Sequence, residues 1–397
     1  MFDAVPDEWR IGNLGNLVQE IAERTDPSQA AIGKDCYVGL EHIEQGTGHL
    51  CGFGRAADVV SQKSIFEPGD ILYGKLRPNL RKVARPDFGG VCSTDIVVFR
   101  ARDGADPDFA FSLLQSEPLV LHAVATAAGT KMPRTHARSI LSFQALLPPL
   151  DEQRRIVKVL QSVDEALTAE LSVLTQLHKT KTAALERFMA EALKSSSISL
   201  SEITTHMDAG WSPDCENIPA LADEWAVLKT TAVTWAGYDD GQNKRLPISL
   251  EARASLAVKA GDILITRAGP TDRTGVVAIV GDTTGKRMLS DKLIRVRVNE
   301  EQAIPLTIAE ILRSSFIQDQ FGRAKSGMAA SQTNISQKIV AGLTIPLPPL
   351  ELQQQFANFA GSLNELIGVS NAQTQKLKRL KASLLSDLLS GRVRVPA

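Results

Sequence analysis

The sequence predicts an α+β protein with two similar domains, whose mostly antiparallel, curved β-sheets are separated by two long α-helices forming an antiparallel coiled coil. Three observations predict this fold. Leu-Pro-Pro-Leu occurs at residues 147–150 and again at 347–350. Short β-rich runs precede each copy, and a long amphipathic segment follows each one. We therefore expect a first domain at 1–147, a central helix at 148–196, a second domain at 197–346 and a C-terminal helix at 347–397.

The two domains repeat one order of elements. In the first, the clearest strands are 71–73 and 96–99, and one helix is expected near 109–126. In the second, strands are expected at 263–265, 276–280 and 293–298, and one helix near 307–321. Gly-Asp-Ile-Leu stands at 69–72 and again at 261–264, and the offset between matching residues drifts along the domains. A duplicated domain with small loop insertions gives that drift.

Each long helix begins at a Pro-Pro pair. Proline supplies the fixed φ of a helix entry, and Asp151, Glu152 and Glu351 put negative charge in the first turn, where it complements the exposed amides. Roughly 40 residues at 1.5 Å rise make a rod of about 60 Å, which one domain cannot cover. The apolar stripe must therefore face the other helix or another protein. The predicted contact residues are Ile156, Val163, Leu167, Leu174 and Phe188 in the first helix and Phe356, Leu363, Leu377 and Leu384 in the second.

Composition narrows the class of protein. No apolar run in the 397 residues approaches the ~18 needed to span a membrane, and the amino terminus lacks a basic and then apolar export signal, so we expect a cytoplasmic protein with no membrane partner. The formal net charge of -1 means that any nucleic-acid binding must come from local patches. The four cysteines are predicted to be free buried thiols.

A search for catalytic and cofactor motifs finds none complete. Residues 281–287 resemble a phosphate-binding loop but have the wrong spacing, so a hairpin turn is expected there. The six histidines show no helical ligand spacing, and the acidic-Pro-Pro-aromatic tetrapeptide of amino-methyltransferases is absent. We therefore expect no catalytic residue, no metal and no cofactor, which favours binding over chemistry.

Basic and polar loops recur at equivalent positions of both domains. Loops rich in Lys and Arg suit phosphate contact, whereas Arg, Asn and Gln can pair with base edges. A second pair of loops precedes the Pro-Pro pairs. It is cationic in the first domain, at residues 129–138, and amide-rich in the second, at residues 327–338, as expected of two readers of different sequences. The candidate DNA-contacting residues are Lys75, Arg77, Asn79, Arg81, Lys131 and Arg134 in the first domain and Arg267, Arg273, Gln332 and Asn334 in the second.

Taken together, these segments resemble the DNA-specificity subunit of type I restriction-modification systems. The resemblance rests on residues 37–43, 69–78 and 146–157 in the first half and on 224–230, 243–244 and 345–351 in the second, and covers essentially the whole chain. It implies that both domains are target-recognition domains, each reading one half of a bipartite, asymmetric site in double-stranded DNA. The paired helices would set the unread spacer and dock two methyltransferase (modification) subunits, and the family also allows a restriction subunit, a translocase-nuclease. This chain would have no catalytic activity of its own.

The second copy departs from the first at one position, because Leu352 stands where the first has Glu152. That change could alter a partner contact. Three other interpretations remain open from the sequence. One is a protein scaffold with two peptide-binding domains on a coiled coil, which should show no DNA sequence preference. Another is a specificity subunit of a combined restriction-methylation enzyme, and the third is an unrecognised enzyme acting on DNA.

Overall fold

The structure, a computed structural model, describes residues 5–26, 35–325 and 332–395. Two compact units make up the chain. Unit 1 comprises Met1–Leu171 and Ala372–Ala397, and unit 2 comprises Ser172–Asn371. Both boundaries fall inside a long helix, so each unit contains part of both long helices.

In unit 1, short strands and three short helices precede the long helix α4. The four-stranded sheet β2-β10-β7-β8 is antiparallel, the five-stranded sheet β3-β6-β9-β4-β5 contains one parallel pair, β4 with β9, and β1 pairs with β11. The elements are β1 (Arg10–Asn13), β2 (Val18–Ile21), β3 (Arg24–Thr25), β4 (Cys36–Val38), β5 (Gly54–Arg55), β6 (Lys63–Phe66), β7 (Ile71–Gly74), β8 (Val83–Ala84), β9 (Gly90–Cys92), β10 (Ile96–Ala101), α1 (Pro107–Gln115), α2 (Glu117–Ala125), α3 (Ala137–Leu141), β11 (Gln144–Leu147) and α4 (Leu150–Ala192).

Unit 2 repeats this plan. Its main sheet, β13-β22-β18-β20, is antiparallel like that of unit 1, β12 pairs with β24, and β14 is parallel to β21 in the small sheet β17-β14-β21. The elements are β12 (Ser197–Ser199), α5 (Leu200–Ile203), β13 (Thr204–Ala209), β14 (Ala226–Leu228), β15 (Val233–Thr234), β16 (Gly237–Tyr238), β17 (Asn243–Arg245), β18 (Ile263–Thr266), β19 (Ala268–Gly269), β20 (Val277–Ile279), β21 (Arg287–Met288), β22 (Leu293–Val298), α6 (Pro305–Arg313), α7 (Ser315–Lys325), β23 (Thr333–Asn334), α8 (Gln337–Ala341), β24 (Thr344–Pro346) and α9 (Leu350–Leu389).

The predicted class, helices combined with mostly antiparallel sheets, is confirmed, but several local predictions were wrong. Each unit has two consecutive helices where one was expected, because Ser116 and Ser314 adopt extended backbone with ψ near 150° and end the first helix. Residues 281–287 join β20 to β21, which belong to different sheets, so they form no hairpin. All four cysteines are free, but Cys51 is exposed and only Cys92 is fully buried.

The repeated Gly-Asp motif forms the same turn in both units. Gly69 and Gly261 have φ of +85° and +86°, the left-handed region that favours glycine. The next residue, Asp70 or Asp262, is buried and accepts a hydrogen bond from the amide three residues earlier. It also accepts two from an arginine of the neighbouring strand, Arg100 or Arg297. The motif therefore has a structural role.

The long helices pack against each other in antiparallel orientation in both units. In unit 1, Lys381 Nζ lies 2.6 Å from Asp164 Oδ1, and in unit 2 the rings of Phe188 and Phe356 stack with centroids 4.1 Å apart. Six of the nine predicted contact residues are buried and Leu167, Leu377 and Leu384 are half-buried. Leu171, Phe359 and Leu380, which are further apolar residues of the two long helices, are exposed.

A buried glutamine ties each Pro-Pro helix to its unit. Gln153 Oε1 accepts a hydrogen bond from Asp106 N, before α1, and Gln353 Oε1 accepts one from Ile304 N, before α6, both at 2.9 Å. Their amide groups donate to the carbonyls of Pro148 and Pro348. The glutamine in the first turn of each long helix therefore fixes the helix to the domain that precedes it.

Glu152 has a different function from Leu352. Its buried carboxylate accepts hydrogen bonds from Trp9 Nε1 at 2.8 Å and from Arg394 at 2.5 and 2.7 Å. Burial raises the pKa of Glu152, but the bonds from Arg394 and Trp9 outweigh burial and lower it overall. Leu352 instead packs on the apolar core of unit 2. The difference therefore reflects a contact within unit 1.

Replacing Glu152 by glutamine should lower the midpoint of thermal unfolding by a few degrees at neutral pH, because the charged partner of Arg394 is lost. A carboxyl with a lowered folded pKa stabilises above its unfolded pKa and loses that contribution as pH falls through the folded pKa. The gap between wild type and Glu152→Gln should therefore close below the ordinary glutamate pKa of 4.5. Thermal unfolding followed by circular dichroism across pH checks this, and a gap that persists at low pH contradicts it.

Candidate nucleic-acid interface

The two predicted loops of unit 1 lie side by side. The loop after β7 and the loop before α3 are joined by hydrogen bonds from Arg77 N to Pro133 O at 2.8 Å and from Thr135 N to Lys75 O at 3.1 Å. Arg77, Asn79, Lys131 and Arg134 are exposed and Lys75 is half-buried. We call the surface formed by these five side chains the basic face of unit 1.

An ion pair orients one residue of this face. Arg134 Nε lies 3.0 Å from Asp95 Oδ1 and Arg134 Nη2 lies 3.4 Å from Asp95 Oδ2. The pair raises the pKa of Arg134, so the guanidinium stays charged. Because Asp95 engages the Nε side, the outer edge with Nη1 and the second Nη2 hydrogen is left to donate elsewhere. Asp95 was not predicted from the sequence.

Arg81 is placed differently from the other candidates. Its guanidinium pairs with Glu117 at the start of α2. Arg77 and Arg81, with φ of 49° and 50°, both have left-handed backbone, which is uncommon outside glycine and asparagine. The turn between them, residues Pro78–Leu80, presents Asn79 to solvent. Arg81 is therefore held against α2, and its contact with DNA stays a prediction.

Unit 2 joins its two loops in the same way. Strands β19 and β23 pair Ala268 with Asn334 and Gly269 with Thr333, matching the contacts of Leu76 with Arg134 and of Arg77 with Pro133. The side chain of Asn334 accepts a hydrogen bond from Arg267 Nε at 3.4 Å. Arg273, Gln332 and Asn334 are exposed and Arg267 is half-buried. Residues 327–331 of the predicted amide-rich loop lie outside the described residues.

The register also identifies a residue that the sequence did not. Lys75 N donates to Asp95 O, and Arg267 N donates to Lys292 O, so Lys292 occupies in unit 2 the position of Asp95 in unit 1. The Lys292 side chain is 57% exposed. We define the polar face of unit 2 as Arg267, Arg273, Lys292, Gln332 and Asn334. In the sequence, Ser93 precedes Asp95 by two residues and Ser290 precedes Lys292 by two, and this match between the domains is the signal that could have identified Lys292.

Within the described parts of the chain, no group of three or more His, Cys, Asp or Glu side chains is arranged to hold a metal ion. Nor is any described helix both long and apolar enough to cross a membrane. Burial raises the pKa of the Cys92 thiol to about 12, which suits packing between strands rather than nucleophilic reactivity.

Comparison with known proteins gives one consistent family. The model of the type I restriction modification DNA specificity domain matches residues 6–179 and 233–379. The EcoEI type I restriction enzyme specificity subunit of Escherichia coli is 43% identical over 155 residues, which are 39% of this chain and 26% of that protein. The MjaVIII specificity subunit of Methanocaldococcus jannaschii is 20% identical over 98% of this chain and 94% of its own length.

Solved structures agree in fold. The type I restriction-modification S subunit of M. genitalium has a TM-score of 0.64 at 15% identity, with 98% of this chain and 97% of that chain covered. A chain from a study of complex assembly and conformational transition in a type I restriction-modification system has a TM-score of 0.56 at 20% identity, with 98% and 100% covered. These likenesses extend over nearly the full length of each chain.

Proposed function

This chain belongs to the type I restriction-modification DNA specificity family, and from that premise we propose that each unit reads one half of a split DNA sequence. Its relatives are named specificity subunits, so catalysis belongs to other subunits of the complex. A scaffold without DNA binding finds no support in the family. The predicted boundaries, cytoplasmic location and absence of cofactors are part of this proposal.

The proposal rests on the surfaces of the two units, which have the same backbone contacts but different side chains. The same backbone contacts join the two loops in each unit. On that common frame, Lys75, Asp95 and Arg134 of unit 1 are replaced by Arg267, Lys292 and Asn334 in unit 2. A constant frame with variable polar side chains is what two readers of different half-sites need.

By their geometry, the candidate residues fall into base-reading residues and phosphate-contacting residues. An arginine held on its Nε side presents its outer edge, and that edge matches guanine O6 and N7 in the major groove. We assign this base-reading role to Arg134, held by Asp95, and in unit 2 to Arg267 with Asn334. The exposed or half-exposed Lys75, Arg77 and Lys131, and Arg273 and Lys292 in unit 2, are assigned to phosphates. Asn79 and Gln332 are assigned to polar contacts beside them.

The helix pair is the proposed site for partner subunits. Phe359, Leu366 and Val369 on α9 are exposed by 48%, 53% and 69%, which is unusual for three large apolar side chains on one helix. We assign these and neighbouring side chains to two methyltransferase subunits, with a restriction subunit as a further component. The helix lengths would then fix the spacer between the half-sites.

Removing two phosphate contacts should flatten the salt dependence of DNA binding. For Lys75→Ala/Arg77→Ala we expect weaker binding to all sequences and a slope of log K against log salt that is shallower by roughly 1.8, since each phosphate contact contributes about 0.9. The measurement is a fluorescence-anisotropy titration at several salt concentrations, with the methyltransferase subunit present.

The matched control is Lys378→Ala/Arg379→Ala, which removes two exposed cations from α9 in the same unit. It changes the net charge equally and should leave the slope as in the wild type. Unchanged affinity and slope in Lys75→Ala/Arg77→Ala would refute the assignment of these residues. Absence of any sequence preference in the wild-type complex would refute DNA reading itself.

A further inference from the structure

One segment of the polar face of unit 2, which we call the Arg273 turn, comprises residues 270–275 after β19. It contains a single turn of 3-10 helix, Thr271–Arg273, in which Arg273 N donates to Pro270 O at 2.9 Å. Thr274 is buried, whereas Arg273 is exposed. The end of the turn therefore packs into unit 2, and its arginine is open to solvent.

Helix α7 supports the end of this turn at two positions. Gln318 Nε2 donates to Gly275 O at 3.1 Å. Gly275 has a left-handed φ of +88°, and a Cβ atom at this position would lie 3.3 Å from the ring of the fully buried Phe321. The backbone of Gly275 therefore packs directly on that ring, which a side chain at residue 275 would disturb.

The last residue of α7 extends this support to the middle of the turn. Lys325 Nζ donates to Thr274 O at 2.8 Å and to Thr271 O at 3.3 Å. Gln318, Phe321 and Lys325 are separated by three and four residues, so they share one face of the helix. One face of α7 therefore holds the Arg273 turn through two hydrogen-bonding side chains and one ring.

Lys325 is an unusual lysine. Its side chain is half-buried, and burial lowers its pKa, with no carboxylate among the described residues to offset that effect. Removing an ammonium group from water costs free energy, which its hydrogen bonds to the two carbonyls offset. A lysine side chain extended into solvent would avoid that cost. The placement of Lys325 therefore indicates that holding the turn is its role.

The Arg273 side chain depends on its backbone for its position. Among the residues that the structure describes, it has no hydrogen-bond or ion-pair partner. Its carbonyl, by contrast, accepts a hydrogen bond from the buried Thr266 Oγ1 at 2.6 Å. Because nothing holds the guanidinium itself, the location of the turn decides what this arginine can reach.

Unit 1 ties its corresponding turn to its corresponding helix by a different contact. The turn Pro78–Leu80 is followed by Arg81, which pairs with Glu117 of α2. The cation thus belongs to the turn in unit 1 and to the helix in unit 2. The side chains of Arg81 and Glu117 are 39% and 57% exposed, and exposed ion pairs contribute little. The stronger tie is that of Lys325 in unit 2.

We propose that Lys325 is a positioning residue for DNA binding, which holds the Arg273 turn where Arg273 reaches a phosphate of the half-site read by unit 2. The inference rests on the proposed function, because it takes Arg273 as a phosphate contact. It adds that Lys325 acts through Arg273 and makes no DNA contact of its own.

A double-mutant cycle of Lys325→Met and Arg273→Ala tests this, with DNA affinity measured by fluorescence anisotropy in the presence of the methyltransferase subunit. In the wild-type background, Lys325→Met should weaken binding roughly fivefold, within the range found for residues coupled through one hydrogen-bond network. In the Arg273→Ala background it should weaken binding by less than about twofold, because the residue that it positions is gone. The slope of log K against log salt should be shallower by about 0.9 in Arg273→Ala and in the double variant alike.

A direct phosphate contact of Lys325 would give a different result. The two losses of affinity would then multiply, and the slope of the double variant would be shallower by about 1.8. That outcome would overturn the positioning role and leave the proposed function standing. An Arg273→Ala variant that binds DNA as the wild type does would have the same consequence. A wild type that binds no DNA would overturn the proposed function and this inference together.

Hydrogen exchange without DNA gives a readout that a phosphate contact would not change. In Lys325→Met, the amides of Arg273 and Thr274 should exchange roughly tenfold faster, while those of β18 keep the wild-type rate. Unchanged exchange in the turn would overturn the positioning role.

The matched control is Arg323→Met, which removes an exposed cation from the same helix. Within the described chain, Arg323 forms no hydrogen bond or ion pair with the Arg273 turn. This variant should leave the exchange of the turn unchanged, and its effect on affinity should be the same with and without Arg273→Ala. Circular dichroism verifies folding, and Lys325→Gln replaces Lys325→Met in the cycle if the latter does not fold.

Discussion

Arg134→Lys should lose most of the preference for one G·C pair in the half-site read by unit 1, while binding to unrelated DNA changes little. Lysine keeps the positive charge but cannot form the paired hydrogen bonds of a guanidinium edge. A good bidentate contact is worth roughly 5- to 150-fold in discrimination against the wrong base, so a loss in that range is expected. Competition binding with duplexes in which each G·C pair is replaced in turn measures it, after methylated positions have defined the site.

Asp95→Asn is the companion variant, because Asp95 acts through Arg134. It should reduce the same preference, and at no other position, since a neutral amide holds the guanidinium less firmly. Lys131→Ala is the control, since loss of a phosphate contact should weaken binding to all sequences alike. If Arg134→Lys keeps full discrimination at every base pair, Arg134 is not the base-reading residue.

The sequence predicts most of the architecture because duplication is visible in it. Two Pro-Pro helix entries and two Gly-Asp turns fix the order of elements, and the stripe predicts the antiparallel helix pair. The structure explains why these motifs recur: Asp70 and Asp262 close a turn onto an arginine, and Gln153 and Gln353 dock a helix. Residues with a backbone function repeat in both copies, so they can be recognised from one sequence.

Features that depend on contacts distant in sequence were not predictable. The role of Asp95 depends on Arg134, which lies 39 residues away, and Glu152 depends on Arg394, which lies 242 residues away. A single sequence shows which amino acid stands at each of these positions, but not which distant residue it contacts.

Comparison of the two units also identifies a buried charge that is present in unit 2 alone at its position. Arg295 on β22 is 1% exposed and donates to both carboxylate oxygens of Asp208 at 2.8 and 2.6 Å, and to the carbonyls of Ala257 and Ser255. In unit 1, the residues at the equivalent cross-strand positions are Val98 and Ile21. At the same cross-strand position of the main sheet, unit 2 thus has an ion pair with a buried arginine, whereas unit 1 has an apolar pair.

Arg295→Val alone should therefore destabilise unit 2 by about 3–5 kcal/mol, because it leaves Asp208 and two carbonyls without their donor. Arg295→Val/Asp208→Ile, the pair present in unit 1, should recover most of that loss, since apolar residues often replace a buried ion pair at little cost. Urea unfolding gives the energies, and hydrogen exchange in β18 and β22 assigns them to unit 2. Arg245→Ala on β17, whose ion pair with Glu224 is partly exposed on both sides, should cost only about 1 kcal/mol or less. If the double variant is no more stable than Arg295→Val, the residues around this position in unit 2 do not accommodate the apolar pair of unit 1.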